Sequence, residues 1–253
     1  MTKQPNRLNN HQALSLLVAV ILPAVIYTLG VPTPNFGLLV LAFVVIVSFV
    51  QLFSMRTLAD LHDARLWAIA RSVLCYTAWF LLFFLLPSSH LQIWYMFISV
   101  PILFLAERVV GYAGETILIT HTILTSFGLL MAASGAEYYF HAGSTVLTLA
   151  VFIVLFVLTR ATYVFVPQTS SIRLASSLVV ALLATEIHTA VLFLPYHYTV
   201  LGFLTFAAFY VLWLCTYYWQ FGVLTRQRVV FYVGLVLALI AILLLVTPWH
   251  IVS

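Results

Sequence analysis

The amino-acid sequence predicts an all-α fold, a polytopic transmembrane helix bundle of about nine spans with a cytoplasmic N-terminus and an outside C-terminus. Three observations carry this prediction. The 253 residues are 64% hydrophobic and 6% charged, whereas a soluble domain carries roughly 25% charged residues. The hydrophobicity comes in continuous runs over the whole length, without the dyad alternation of a membrane β-barrel. Basic residues recur at every second connection between runs, as expected of cytoplasmic loops.

A helical span needs about 20 predominantly apolar residues to cross a ~30 Å hydrocarbon core. The apolar runs fall at approximately 12–30, 37–53, 66–86, 91–106, 111–134, 144–165, 172–194, 198–220 and 229–247. The first follows Lys3 and Arg7 in a short cytoplasmic tail, residues 1–11. It is longer than the apolar region of a signal peptide and further spans follow directly, so it reads as a retained span. The second and fourth runs are the shortest. The connections after runs one, three, five and seven ("VPTPNF", "PSSH", "GAEYYFHAG", "PYHY") hold no Lys or Arg. Those after runs two, four, six and eight ("SMRTLADLHDAR", "ERVVG", "PQTSSIR", "TRQR") all carry arginine. A miscounted span would break this alternation, so count and topology support each other.

No connection is long enough to fold by itself, so residues 1–253 read as one transmembrane domain. The longest, around 54–65, reads as a short interfacial helix bearing Asp60 and Asp63. Arg71 and Arg160 lie slightly inside their spans near the cytoplasmic end, where arginine can snorkel to the headgroups. Trp94, Tyr95, Tyr138, Tyr139, Tyr217, Tyr218, Trp219 and Trp249 fall near the membrane faces, where aromatic belts form. The net charge of +4 is scattered over short loops. It is topology information and implies no nucleic-acid partner. Cys75 and Cys215 sit in apolar runs without CxxC spacing and read as small buried apolar residues.

Polar residues inside spans are the candidates for function. Run seven contains "LLATEIHTAVLFLPYH". At about 100° per residue, Glu186 and His188 point about 200° apart, so they cannot pair on one helix face. A carboxylate in hydrocarbon is expensive, which predicts that Glu186 faces the bundle interior, protonated or paired. It reads either as a proton or cation site or as an interhelical hydrogen bond. Run five is the most polar span. Gly114, His121, Thr125 and Gly128 form one stripe, with Glu115, Thr122 and Ser126 beside it. Such residues let helices approach closely and hydrogen-bond across the contact; the sharper alternative is a polar cavity between runs five and seven. His121 and Glu186 would differ in depth by only ~6 Å at 1.5 Å per residue. Glu115, His121, Glu186 and His188 are therefore the candidate intramembrane polar site.

His90, Glu137, His141, His197 and His250 lie at predicted outer ends and form a candidate outer-face cluster. No HxxxH or HxH spacing preorganises them for metal, and haem ligation by His121 and His188 has only one offset pair behind it. Run eight carries Phe203, Phe206, Tyr210, Trp213 and Tyr217 at helical spacing; helix packing accounts for such a stripe more simply than a pigment or quinone. Retinal is excluded because Lys3 is the only lysine. Pro23 and Pro101 fall inside spans and can kink them. There is no HExxH, GxSxG, P-loop or Asp-rich loop. No catalytic residue, cofactor or metal is assigned.

The last third contains Glu186, then "FLP" at Phe193 to Pro195, aromatics at Tyr217 to Trp219, the basic Arg226 and Arg228, and a final span ending near Trp249. This stretch of about 65 residues resembles a family of uncharacterised polytopic membrane proteins from candidate-phyla bacteria. The resemblance implies a domain of unknown function in the bacterial cytoplasmic membrane and transfers no activity. His188 stands where that pattern has an apolar or aromatic residue. Three function classes remain: a non-enzymatic membrane component (scaffold, assembly factor or complex subunit), a small-molecule or ion permease with a proton-linked Glu/His site, and an intramembrane enzyme. The expected partners are the lipid bilayer and a membrane protein or a second copy of the chain.

Overall fold

The computed structural model describes residues 36–54, 62–86, 88–110, 115–140 and 143–246. Eight helices are found there: α1 (Phe36–Ser54), α2 (His62–Leu85), α3 (Ser89–Val110), α4 (Glu115–Phe140), α5 (Ser144–Tyr163), α6 (Ser170–Leu192), α7 (Tyr198–Gln220) and α8 (Arg226–Val246). No strand occurs among the described residues. All except α1 and α3 hold a stretch long and apolar enough to cross a membrane; α1 and α3 carry shorter apolar stretches, Val40–Phe49 and His90–Leu103. Each helix overlies one predicted run. The first run, Pro23, the cytoplasmic tail, Asp60 and Trp249 lie outside the described residues. The 54–65 connection does too for the most part, and Asp63 falls within α2.

One boundary differs from expectation. "GAEYYF" was expected in a connection, but α4 continues through it to Phe140. Alanine, glutamate and the aromatics carry no helix-breaking feature. Gly135 alone costs only about 1 kcal/mol relative to alanine, so the helix runs through it.

The chain divides into two compact units, Met1–Thr125 and Ser126–Ser253, with the boundary inside α4. In the first unit α1 packs on α2 and α2 on α3. Phe43 and Phe80 stack at a ring separation of 4.1 Å and are almost fully buried. Phe84 meets Phe80 edge-on. Tyr95 of α3 donates its hydroxyl to the Trp79 carbonyl of α2 at 2.9 Å, and Gln92 Nε2 donates to the Leu86 carbonyl just past the end of α2. Arg71, expected to snorkel, is instead buried, within Coulombic reach of His121.

In the second unit α5 packs against α6, α6 against α7, and α7 against α8. The turns follow from local chemistry. Thr169 caps α6, its Oγ1 accepting from the Ile172 amide. Pro195 follows the end of α6, since proline lacks the amide to continue a helix. His197 caps α7 by accepting from the Thr199 amide. Gly222 ends α7 at φ 70. There the Gly222 amide donates to the Trp219 carbonyl and the Val223 amide to that of Tyr218, the glycine-dependent pattern of a Schellman close. α7 is more deeply buried than α5, α6 and α8. Tyr198, Leu201, Gly202, Thr205, Phe209, Trp213, Tyr217 and Gln220 form its inward stripe. Phe203, Phe206 and Tyr210 of the predicted aromatic stripe lie half-buried on its flank, Phe206 against Phe127 and Tyr210 against Tyr232. α8 is peripheral; among its described residues Val236 alone is in the core. Cys75 and Cys215 are not in a disulfide.

Candidate functional site

The inward surface of α6 is Ser177, Val180, Ala181, Ala184, Thr185 and His188. Small and hydroxyl residues at this spacing let neighbouring backbones come close. Ser177 and Thr185 return their hydroxyl protons to the Arg173 and Ala181 carbonyls one turn back. This is how a hydroxyl is satisfied inside a membrane helix without a partner helix. Thr148 of α5 meets Thr189 of α6 at 3.4 Å, hydroxyl to hydroxyl.

His188 is fully buried. Its Nδ1 lies 3.2 Å from Thr205 Oγ1 on α7. The Thr205 hydroxyl donates to the Leu201 carbonyl at 3.0 Å, so its one proton is already committed and it accepts from His188 Nδ1–H. In the neutral ring this leaves Nε2 as an acceptor, and Nε2 is buried with no hydrogen-bond partner. Replacing Thr205 by valine removes the acceptor while keeping the shape. Stability is then expected to fall by about 1 kcal/mol, with a coupling to His188→Phe of about 0.6 kcal/mol, the average for interhelical bonds in membranes. A double-mutant cycle of equilibrium unfolding in detergent measures it. A coupling indistinguishable from zero would mean that the bond contributes nothing.

Glu186 is not in the interior. It is exposed on the outer side of α6, beside exposed Val179, Leu182 and Leu183 and one turn from exposed Ala190. This corrects the expectation of an inward carboxylate. The physical reason is rotation about the helix axis. With Ser177, Ala181, Ala184 and His188 inward, a residue about 200° from His188 must point away from α5 and α7. Burial of the small face against two helices outweighs the preference of one carboxyl group.

The other candidates distribute as follows. His121 is buried in the first unit, its Nδ1 3.4 Å from Thr125 Oγ1 on the next turn. Thr122, Thr125 and Ser126 are also buried. Glu115 opens α4, with its side chain outside the described residues. Of the outer-face candidates, His90 is exposed near the start of α3, and His141 and His250 lie outside the described residues. Glu137 is half-buried, and its Oε2 has no hydrogen-bond partner. His197 joins an aromatic group. Its ring centroid is 5.3 Å from Tyr138 and 4.3 Å from Tyr198, and Tyr139 closes on Tyr198 at 5.3 Å. Among the described residues no three His, Cys, Asp or Glu side chains converge as a metal set.

No family model, curated protein or solved structure matches this chain. The geometry alone therefore carries the functional reading.

The second unit holds more unmet polar groups than His188. Ser134 Oγ, Thr159 Oγ1, Trp213 Nε1 and both amide atoms of Gln220 are buried without a hydrogen-bond partner. Sequence reasoning missed Thr205 as the partner of His188, and Gly202 as a contact. The available signal was the small-hydroxyl pair Gly202 and Thr205, three apart on one face of run eight, which is a helix-contact pattern.

Proposed function

We propose that this protein is a non-enzymatic subunit of a membrane-protein assembly, joined through the outer half of α6. In this reading the chain crosses a bacterial cytoplasmic membrane nine times, N-terminus inside. The observation that carries the proposal is the exposure of Glu186. It lies about 9 Å below the end of α6 at 1.5 Å per residue, within hydrocarbon depth. An acidic residue in a span costs up to about 2.5–3.5 kcal/mol on insertion scales, the full amount at the centre, and the surrounding leucines and valine offer no hydrogen bond. A partner helix with an arginine or lysine at matching depth removes that cost. A second copy of this chain cannot supply such a cation. Each of its Lys and Arg residues lies in the tail, in an arginine-bearing connection or near the same end of a span, opposite to Glu186.

The test is a photo-activatable cross-linker at Leu182, beside Glu186, in native membranes. The control position is Ile153, exposed on α5. The expected result is an adduct at Leu182 to one transmembrane segment that carries a basic residue within a turn of the linkage. Glu186→Leu should reduce its yield by about tenfold or more, since removing one member of a buried charge pair costs at least 2 kcal/mol. Lipid adducts alone at both positions, or cross-links to a second copy of this chain, overturn the reading.

A permease is the second reading, and the unmet buried polar atoms of the second unit favour it. It loses its proton-linked Glu/His pair, because Glu186 and His188 occupy opposite sides of α6.

A further inference from the structure

We propose that the corner where α5 passes into α6 binds the phosphate of an anionic phospholipid headgroup. Two arginines anchor there, each reaching toward the other helix. Arg160, in the last turn of α5, places Nη2 3.2 Å from Ser170 Oγ at the start of α6. Arg173, in the first turn of α6, reaches back the other way, its Nη1 donating to the Val164 carbonyl at 2.6 Å. Each guanidinium thus makes a bond to a neutral oxygen at this corner. Residues 138–185 contain no Asp or Glu. Arg173 Nε is buried and has no hydrogen-bond partner.

The surroundings suit a phosphate. Thr169, Ser170 and Ser171 are exposed, and the first turn of α6 has no acidic residue. Arginine at that position works against the helix dipole, which favours anions there. A bound phosphate accepts from both guanidiniums and from the serine hydroxyls, and reverses that mismatch. The same corner carries apolar surface. Phe165, Ile172, Leu174 and Leu178 are exposed, so acyl chains have a lane along α6 directly from the headgroup position. That continuity favours a diacyl phospholipid over free phosphate. Two arginines at one corner favour an anionic headgroup over a zwitterionic one, whose own cation would face them. Arg228 differs. Its Nη1 donates to Val223 and its guanidinium lies over the Tyr218 ring at 5.1 Å.

The test is native mass spectrometry of the full chain with phosphatidylglycerol, phosphatidylcholine or inorganic phosphate added in turn. Phosphatidylglycerol is expected to bind about 10- to 30-fold more tightly than phosphatidylcholine, from two arginines near the membrane surface. Arg160→Gln with Arg173→Gln should abolish the preference, while Arg228→Gln leaves it within about twofold. Ser171→Glu serves as the variant that keeps the fold, because an acid in the first turn is favourable to the helix; it too should abolish the preference. Equal binding of the two lipids overturns the proposal, as does equal loss in Arg228→Gln. Retention of inorganic phosphate as strong as that of phosphatidylglycerol assigns the corner to free anions and overturns the lipid.

Discussion

Replacing Gly202 by leucine is expected to abolish folding of the second unit. A Cβ built at Gly202 falls 2.8 Å from Met131 Sδ, 2.9 Å from Met131 Cα and 3.2 Å from the Leu130 carbonyl oxygen. Carbon atoms at rest sit about 3.5–4.0 Å apart. The Met131 sulfur can swing aside, but the Met131 Cα and the Leu130 carbonyl belong to the backbone of α4. Relief therefore requires α4 and α7 to separate along their contact. Phe127–Phe206 on one side of the crossing and Tyr138–Tyr198 on the other would separate with it. Overpacking by a few methylenes costs about 1–3 kcal/mol. Leucine adds a full side chain against backbone, so the loss should exceed about 3 kcal/mol. Gly202→Ala should still cost about 1 kcal/mol or more, despite the better helix propensity of alanine. Thermal unfolding in nanodiscs measures both. An alanine variant as stable as the parent would show that the two helices do not cross at Gly202.

Trp213→Ala carries the second large effect. Trp213 has no exposed surface. Its ring stacks on Phe209 at 6.4 Å and lies 5.9 Å from Tyr217, while its backbone carbonyl accepts the Tyr163 hydroxyl at 3.1 Å. Inside a membrane, helices are held by close packing rather than by expulsion of water, so the void left by tryptophan removes contacts that lipid cannot restore. The expected loss is about 3–5 kcal/mol. Trp213→Phe separates packing from polarity. It keeps an aromatic ring and deletes Nε1, a buried donor without a partner. It should cost clearly less than alanine, because the smaller void keeps most of the ring contacts. If phenylalanine proved as damaging as alanine, Nε1 would have to be bonded, and the interior of the second unit would hold a group that satisfies it.

These two residues show how differently the chain yields to reading. Trp213 belonged to a recognisable aromatic stripe, but Phe203, Phe206 and Tyr210 of the same stripe turned out half-buried. The actual inward line runs through Thr205 and Phe209. Spacings of three and four fit several overlapping stripes on one helix, and hydropathy does not choose among them when every side is apolar. Gly202 was legible only as a small residue near a hydroxyl, because what makes it critical is a residue of another helix. Arg71 reads as a snorkelling cation from its place in the run, yet it is buried near His121. Burial at a helix contact places this arginine where its position along the run alone would not.

The sequence by itself determined that this is a chain of apolar helices and where most of them begin and end. α7 covers 198–220 and α5 starts at 144, as the runs predict, because the length of an apolar segment and its turn residues are local properties. The tertiary structure decided which way each helix faces. Glu186 and His188 are two residues apart and chemically alike in their cost to a bilayer, yet His188 went inward to Thr205 and Glu186 outward. Rotation about a helix axis is set by the sum of all contacts along the helix, and those contacts come from α5 and α7.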